Sequence, residues 1–195
     1  MEKFNIPNEF LGKYREGTLT VEEAAMLCAI CQASQSLDPS TQVGACLISA
    51  DGEIVSTGFN QPPKGWPIDE FPFERNADEI GMENTKYNYI NHAEFKCLNA
   101  ARFSKEEMSK MTLVVTLFPC CHCAQRIIDS GIRKIIYLDD FYKETKDNQC
   151  SKFMLEKTGV EFIDFHEISD IVSCNINFDE KNKTEVRRRT KGGRI

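Results

Sequence analysis

Residues 112–138, TLVVTLFPCCHCAQRIIDSGIRKIIYL, decide the fold. Residues 112–118 are a continuous apolar run, the pattern of a central strand buried on both faces. Residues 121–130 have helical spacing and stop at Gly131, a residue suited to the left-handed C-terminal cap. Residues 132–138 form a second buried run. Downstream, residues 149–158 predict a helix ending at Gly159, and residues 160–165 a last strand. Strand, helix, strand, helix, strand at this spacing implies parallel strands joined by crossover helices. Upstream, residues 91–103 carry helical spacing through Ala93, Leu98 and Ala101. Residues 43–49 and 53–59 are β-prone and flank Ala50-Asp51-Gly52, so they predict a hairpin. Thr20-Val-Glu-Glu23 reads as a capping box opening a first helix, with Ala24, Leu27, Cys28 and Cys31 as its inward stripe. Residues 61–89 are irregular and hold four prolines together with Trp66, Phe71 and Phe73, a composition that favours a packed lid. The expected fold is α/β, a sandwich with helices on both faces of one sheet. It spans residues 1–175 as one domain, followed by a basic, flexible tail over 176–195.

Composition narrows the function classes. The 195 residues are 41% hydrophobic and 28% charged, an ordinary globular balance. No apolar run approaches the roughly 20 residues needed to span a bilayer, and no secretory signal is visible, so the expected compartment is the cytoplasm. In a reducing compartment the nine cysteines are read as thiols or metal ligands rather than as a disulfide framework. Cys28, Cys31, Cys97 and Cys174 lie in apolar stretches and read as small core residues. The formal charge of −6 is uneven: residues 181–195 carry a net +6, which leaves −12 on the rest. An acidic body argues against a polynucleotide partner, because binding to the phosphate backbone needs a basic footprint.

Two short segments carry chemistry: His92-Ala93-Glu94 and Pro119-Cys120-Cys121-His122-Cys123. Each opens a predicted helix. Two cysteines three apart at a helix start direct both sulfurs to one point, where the positive end of the helix dipole favours the thiolate that binds metal. One imidazole completes three protein ligands for Zn2+, leaving a fourth position for water, which is the arrangement of catalytic sites. The ion lowers the pKa of that water so that hydroxide exists near neutral pH. Glu94, two residues past His92, is placed to move protons without ligating. The bland alternative, a core histidine and a separate structural or redox cysteine pair, does not account for the joint pattern. Cys121 and His122 diverge from the ligands by about 100° per residue on the helix and read as packing or supporting groups. His166 reads as structural.

The pattern His-x-Glu followed by Pro-Cys-x-x-Cys is the signature of zinc deaminases. With Asp38-Pro-Ser-Thr-Gln-Val-Gly-Ala45, Gly58-Phe-Asn60, Thr85-Lys-Tyr87 and Thr116-Leu-Phe-Pro-Cys120, the sequence resembles the deoxycytidylate (dCMP) deaminase family over residues 20–170. The resemblance implies a three-layer α/β/α sandwich around a five-stranded mixed sheet, hydrolysis of the free pyrimidine nucleotide dCMP to dUMP and ammonia, and a homo-oligomer, commonly a hexamer. It implies Asn60 at the sugar, backbone around Val43, Ala93 and Phe118 at the pyrimidine, and Tyr137 or Tyr142 near the nucleotide. Three positions depart from the family pattern. Gln35 replaces an arginine that can help bind the phosphate, Gln61 replaces a glycine tied to triphosphate regulation, and Lys96 replaces an asparagine. Glutamine cannot reproduce the charge-assisted fork of arginine. Lys64, Arg75, Lys86, Lys96 and the basic tail are the substitute phosphate ligands, and the sequence does not choose among them. Two other readings share these motifs: a deaminase of another cytosine nucleoside, nucleotide or amino-heterocycle, and a non-catalytic zinc-stabilised regulatory module.

Overall fold

A computed structural model describes residues 18–177 and 183–189. They fall into two units, one spanning Val21–Ser169 and a smaller one that holds residues from Asp170 onward. In the larger unit, α1 (Val21–Ala33) leads to strands β1 (Gly44–Ile48) and β2 (Ile54–Phe59). The segment after β2 contains short 3-10 turns and α2 (Ala77–Ile80), and α3 (Ala93–Ala100) and α4 (Lys105–Met108) precede the sheet's second half. There β3 (Thr112–Leu117), α5 (Cys121–Ser130), β4 (Lys134–Asp139), α6 (Lys146–Lys157), β5 (Glu161–Asp164) and α7 (Phe165–Ile168) follow in turn. The five strands order as β2-β1-β3-β4-β5. β1 runs antiparallel to both β2 and β3, whereas β3, β4 and β5 are mutually parallel. This is the mixed sheet implied by the resemblance. No helix among the described residues is long and apolar enough to cross a membrane.

Alternation along the strands builds two cores. Ala45, Leu47, Leu113, Val115 and Ile135 pack with Ala93 and Cys97 of α3, Ala124 and Ile127 of α5 and Leu155 of α6. Cys46, Ile48, Val114 and Ile136 point the other way, to Ala25, Met26 and Ala29 of α1 and Phe165 of α7. Two glycines let helices reach the sheet. A Cβ at Gly44 would lie 1.8 Å from the Ala29 carbonyl oxygen, and one at Gly58 would lie 2.5 Å from that of Ala93. Gly131 adopts φ +100° as the C-cap of α5, as its placement in the sequence predicts.

Several expectations need correction. The inward face of α1 is Ala25, Met26, Ala29 and Ala33, whereas Ala24, Leu27 and Cys28 are half-buried and Cys31 is exposed. The helix is apolar almost all round, so its periodicity did not choose a face; the close approach at Gly44 does. Cys174 is likewise only half-buried, while Cys97 is in the core. α6 begins three residues earlier than expected, where the Thr145 side chain accepts the Asn148 N–H. In the smaller unit, residues expected to lie in a flexible tail form β7 (Lys183–Arg188), antiparallel to β6 (Ile171–Asn177). Exposed Glu185, Arg187 and Arg189 alternate there with half-buried Val186 and Arg188, a period of two that the count of basic residues concealed. Arg188 also pairs with Asp170 at 2.6 Å. The rest of the basic segment, 178–182 and 190–195, lies outside the described residues.

Topology gathers the candidate residues at one edge of the sheet. Parallel β3 and β4 end there, and ligands of open α/β sheets bind beyond the carboxyl ends of such strands. β1 starts at this edge and β2 ends at it, since Gly44 pairs with Phe59. Val43, Asn60 and Phe118 are thereby brought together from distant parts of the chain.

Candidate active site

His92 and Cys120 occupy equivalent positions. Each is the extended N-cap residue of its helix, His92 on α3 and Cys120 on α5, and neither side chain makes the usual cap hydrogen bond. Freed from capping, both side chains turn toward one point. The imidazole Nδ1 of His92 lies 3.4 Å from the Cys120 Sγ and 3.3 Å from the Cys123 Sγ. The three donor atoms all lie within 4.8 Å of one another, forming a possible metal centre among the described residues.

The site is electrostatically polarised. The Cys120 thiol is lowered to about 4, first by a hydrogen bond with Cys123 and then by the adjacent His92. Cys123 is pushed up in return by that same hydrogen bond and by burial. His92 is raised to about 9, chiefly by its hydrogen bond with Cys120. Among themselves, then, the donors hold one thiolate beside an imidazolium, and a cation placed between them would replace the shared protons. Glu94 stands in the first turn of α3 and is 4% exposed. Burial raises its carboxyl above the usual range, opposed mainly by His92. A carboxyl raised in this way accepts and returns a proton more evenly near neutral pH than a solvated one.

The donor set fits zinc. Tetrahedral coordination at ordinary Zn–S and Zn–N lengths places sulfur and nitrogen about 3.6 Å apart, close to the separations found here. Two thiolates and one imidazole suit this ion, and three protein donors leave a coordination position open. Cys121 and His122 are not among these donors. The Cys121 amide and thiol both donate to the Asp147 carboxylate, at 3.1 and 2.7 Å, so α6 supports the start of α5. His122 is exposed at the cavity wall, and His166 lies on α7 beside Phe165.

His92, Cys120 and Glu94 line a cavity of about 480 Å³, within the range of small-molecule sites, and Cys123 is buried behind them. Val43, Ala93 and Phe118 supply apolar wall, and Asn60 also lines it. The Asn60 amide is largely committed: Oδ1 accepts the Val43 N–H at 2.8 Å and Nδ2 donates to the Thr41 carbonyl at 2.8 Å. The Phe118 N–H is bonded to Asp139 at 2.8 Å. Of the backbone expected at the ring, the Val43 and Phe118 amides are therefore already used. Tyr137 does not line the cavity; it packs edge-on against Phe118 and joins the core, because its register position on β4 faces α5 and α6. Tyr142, its alternative, does line it.

One supporting arrangement escaped the sequence. Lys86 and Asp38 form a buried ion pair at 2.5 Å, with side chains 4% and 1% exposed. Asp38 also accepts the Ser40 and Thr41 amides. The pair ties the segment after β2 to the loop before β1. A lysine in an irregular stretch reads as a surface residue, and its partner lies 48 residues away; the one signal was that both belong to the motifs quoted above.

Residues 19–139 match the family model described as the cytidine and deoxycytidylate deaminase zinc-binding region. The chain belongs to this deaminase family. Deoxycytidylate deaminase from Mus musculus is 34% identical over 171 residues, covering 87% of this chain and 92% of that protein. The Homo sapiens enzyme of the same name is 33% identical over 173 residues, with the same coverage. Among solved structures, the dCMP deaminase of the cyanophage S-TIM5 superposes with a TM-score of 0.56 at 22% identity, covering 74% of this chain and 97% of that one, which shows the shared fold. As a deaminase of this family, the chain is a hydrolase acting on carbon–nitrogen bonds.

Proposed function

We propose that this chain is a zinc-dependent dCMP deaminase, acting on the free nucleotide in the cytoplasm to give dUMP and ammonia. The observation that carries the reading is the convergence of His92 Nδ1, Cys120 Sγ and Cys123 Sγ beside the buried Glu94 at the floor of a nucleotide-sized cavity. Similarity to deoxycytidylate deaminases over most of both chains supports the substrate. His92, Cys120 and Cys123 hold the zinc ion, which when bound acidifies a water so that it can serve as nucleophile near neutral pH. Glu94 takes one proton from the attacking water and passes it to ring nitrogen N3, then takes the second from the hydroxyl now on C4 and delivers it to the amine as the C4–N bond breaks. The balance is one water consumed and one ammonia released, with no change of oxidation state. Val43, Ala93 and Phe118 hold the pyrimidine between apolar walls, and the remaining lone pair of Asn60 Oδ1 accepts from a sugar hydroxyl. Tyr137 acts behind this wall, by fixing Phe118. A homo-oligomer of this chain is part of the same reading, and Leu37, Phe141 and Phe153 are among the large apolar side chains left exposed for such a contact.

The test is ammonia release from dCMP, CMP, dCTP, deoxycytidine and cytidine, using purified protein whose zinc content is determined. A clear preference for dCMP with about one zinc per chain is expected. Zinc at that level with no turnover on any of the five would sink the reading in favour of a non-catalytic zinc module.

A further inference from the structure

Among the described residues, one cation of the cavity wall combines spare hydrogen-bond donors with a charge that no carboxylate neutralises. Of the four candidate residues within the described chain, Lys64 and Lys96 are not part of the wall. Lys86 lines it but is consumed by Asp38 at 2.5 Å. Gln35, at the family's arginine position, is exposed, bonds Gln32 and is not in the wall either. Arg75 remains. It lines the cavity and is itself exposed, which places it at the rim, whereas Glu94 is buried at the floor.

Arg75 is also held. Its Nε donates to the Tyr87 phenol at 3.2 Å, and a terminal nitrogen donates to the Tyr142 phenol at 3.2 Å. Tyr87 follows the buried Lys86 on the segment after β2, and Tyr142 lies between β4 and α6. The guanidinium therefore bridges two walls of the cavity. These bonds use two of its five N–H groups and leave three. No carboxylate pairs with it among the described residues, so its charge is not neutralised at short range. A fixed planar fork with free donors over a cavity rim is the arrangement that takes a phosphoryl group.

We propose that Arg75 binds the 5′-phosphate of the substrate nucleotide, with Tyr87 and Tyr142 as positioning residues that hold the guanidinium over the rim. The role leaves the family's arginine position, just after α1, and is carried from the segment between β2 and α3. The assignment rests on the nucleotide reading above and makes Arg75 the determinant of nucleotide over nucleoside.

The test is steady-state kcat/KM for dCMP and for deoxycytidine with the zinc-loaded full-length protein and with Arg75→Ala, Arg75→Lys and Tyr142→Phe. In Arg75→Ala the ratio of dCMP to deoxycytidine efficiency falls on the order of 100-fold through KM for dCMP, the effect of losing charge-assisted hydrogen bonds. Arg75→Lys keeps charge without the fork and falls roughly 10-fold, with Tyr142→Phe smaller still in the same direction. Equal loss on both substrates in Arg75→Ala, or a ratio that does not move, overturns the assignment while leaving the dCMP reading intact. A wild-type protein that turns over deoxycytidine as well as dCMP overturns the monophosphate reading itself, and Arg75 with it. If Arg75→Ala does not fold, the ratio in the two milder variants decides.

Discussion

The floor and the rim of the cavity are built by opposite means. The floor is set on regular structure: His92 and Glu94 at the start of α3, Cys120 and Cys123 at the start of α5, both helices packed on the central strands. The rim comes from irregular chain, with Arg75 and Tyr87 in the stretch between β2 and α3 and Tyr142 between β4 and α6. At the floor Glu94 and Cys123 are 4% and 2% exposed and His92 and Cys120 are half-buried, while Tyr87 at the rim is 46% exposed. Helix starts locate atoms well enough for bond making. Loops held by a few polar contacts change readily without disturbing the scaffold. On the functions proposed above the difference divides the labour: the floor would define the reaction and the rim would select which molecule undergoes it.

That division can be broken or sharpened by substitution. The largest effect is expected at the floor. Glu94→Gln keeps the shape and removes the proton carrier, so kcat should fall on the order of 10³- to 10⁴-fold, with zinc content and KM for dCMP little changed. Turnover within tenfold of wild type would show that proton transfer is handled elsewhere. Next comes the joint between the two regions. Lys86→Met strands a buried carboxylate at Asp38 and should cost about 3 kcal/mol of stability, read as a lower denaturant midpoint. Adding Asp38→Asn should recover part of that loss, since the isolated charge is then gone. No destabilisation by Lys86→Met would mean that the ion pair does not couple rim to floor. The smallest effect belongs to a site remote from both. Ser104 caps α4 in a reciprocal capping box with Glu107, so Ser104→Ala should cost about 1 kcal/mol with kcat/KM unchanged. A matching loss of activity would mean that scaffold stability, not local geometry, sets turnover.

The same division explains what could be read from the sequence. α5 was legible to the residue because Gly131 terminates it and the flanking strands are continuous apolar runs. The donor cluster was legible because its spacing is local: one residue separates His92 from Glu94 and two separate Cys120 from Cys123. The face of α1 was not, since Ala24 and Ala25 or Cys28 and Ala29 look alike until Gly44 of a distant strand admits one of them. α4 was passed over because four residues give no periodicity, though its capping box was present. Lys86 and Arg75 stand eleven residues apart in one irregular stretch. Only the fold separates the one that is buried and spent from the one that is held open.

The shared N-cap placement of His92 and Cys120 has a thermodynamic consequence. An N-cap side chain ordinarily satisfies the first free amides of its helix and so resists fraying. Here two helices give up that bond to aim their side chains elsewhere, and α5 is compensated from outside, where the Cys121 amide donates to Asp147. Occupancy of the donor cluster and closure of the first turns of α3 and α5 are therefore linked equilibria. A metal held by these donors would tie the first turns of α3 and α5 together in place of the missing caps, and the protein's resistance to local opening should rise and fall with its metal load.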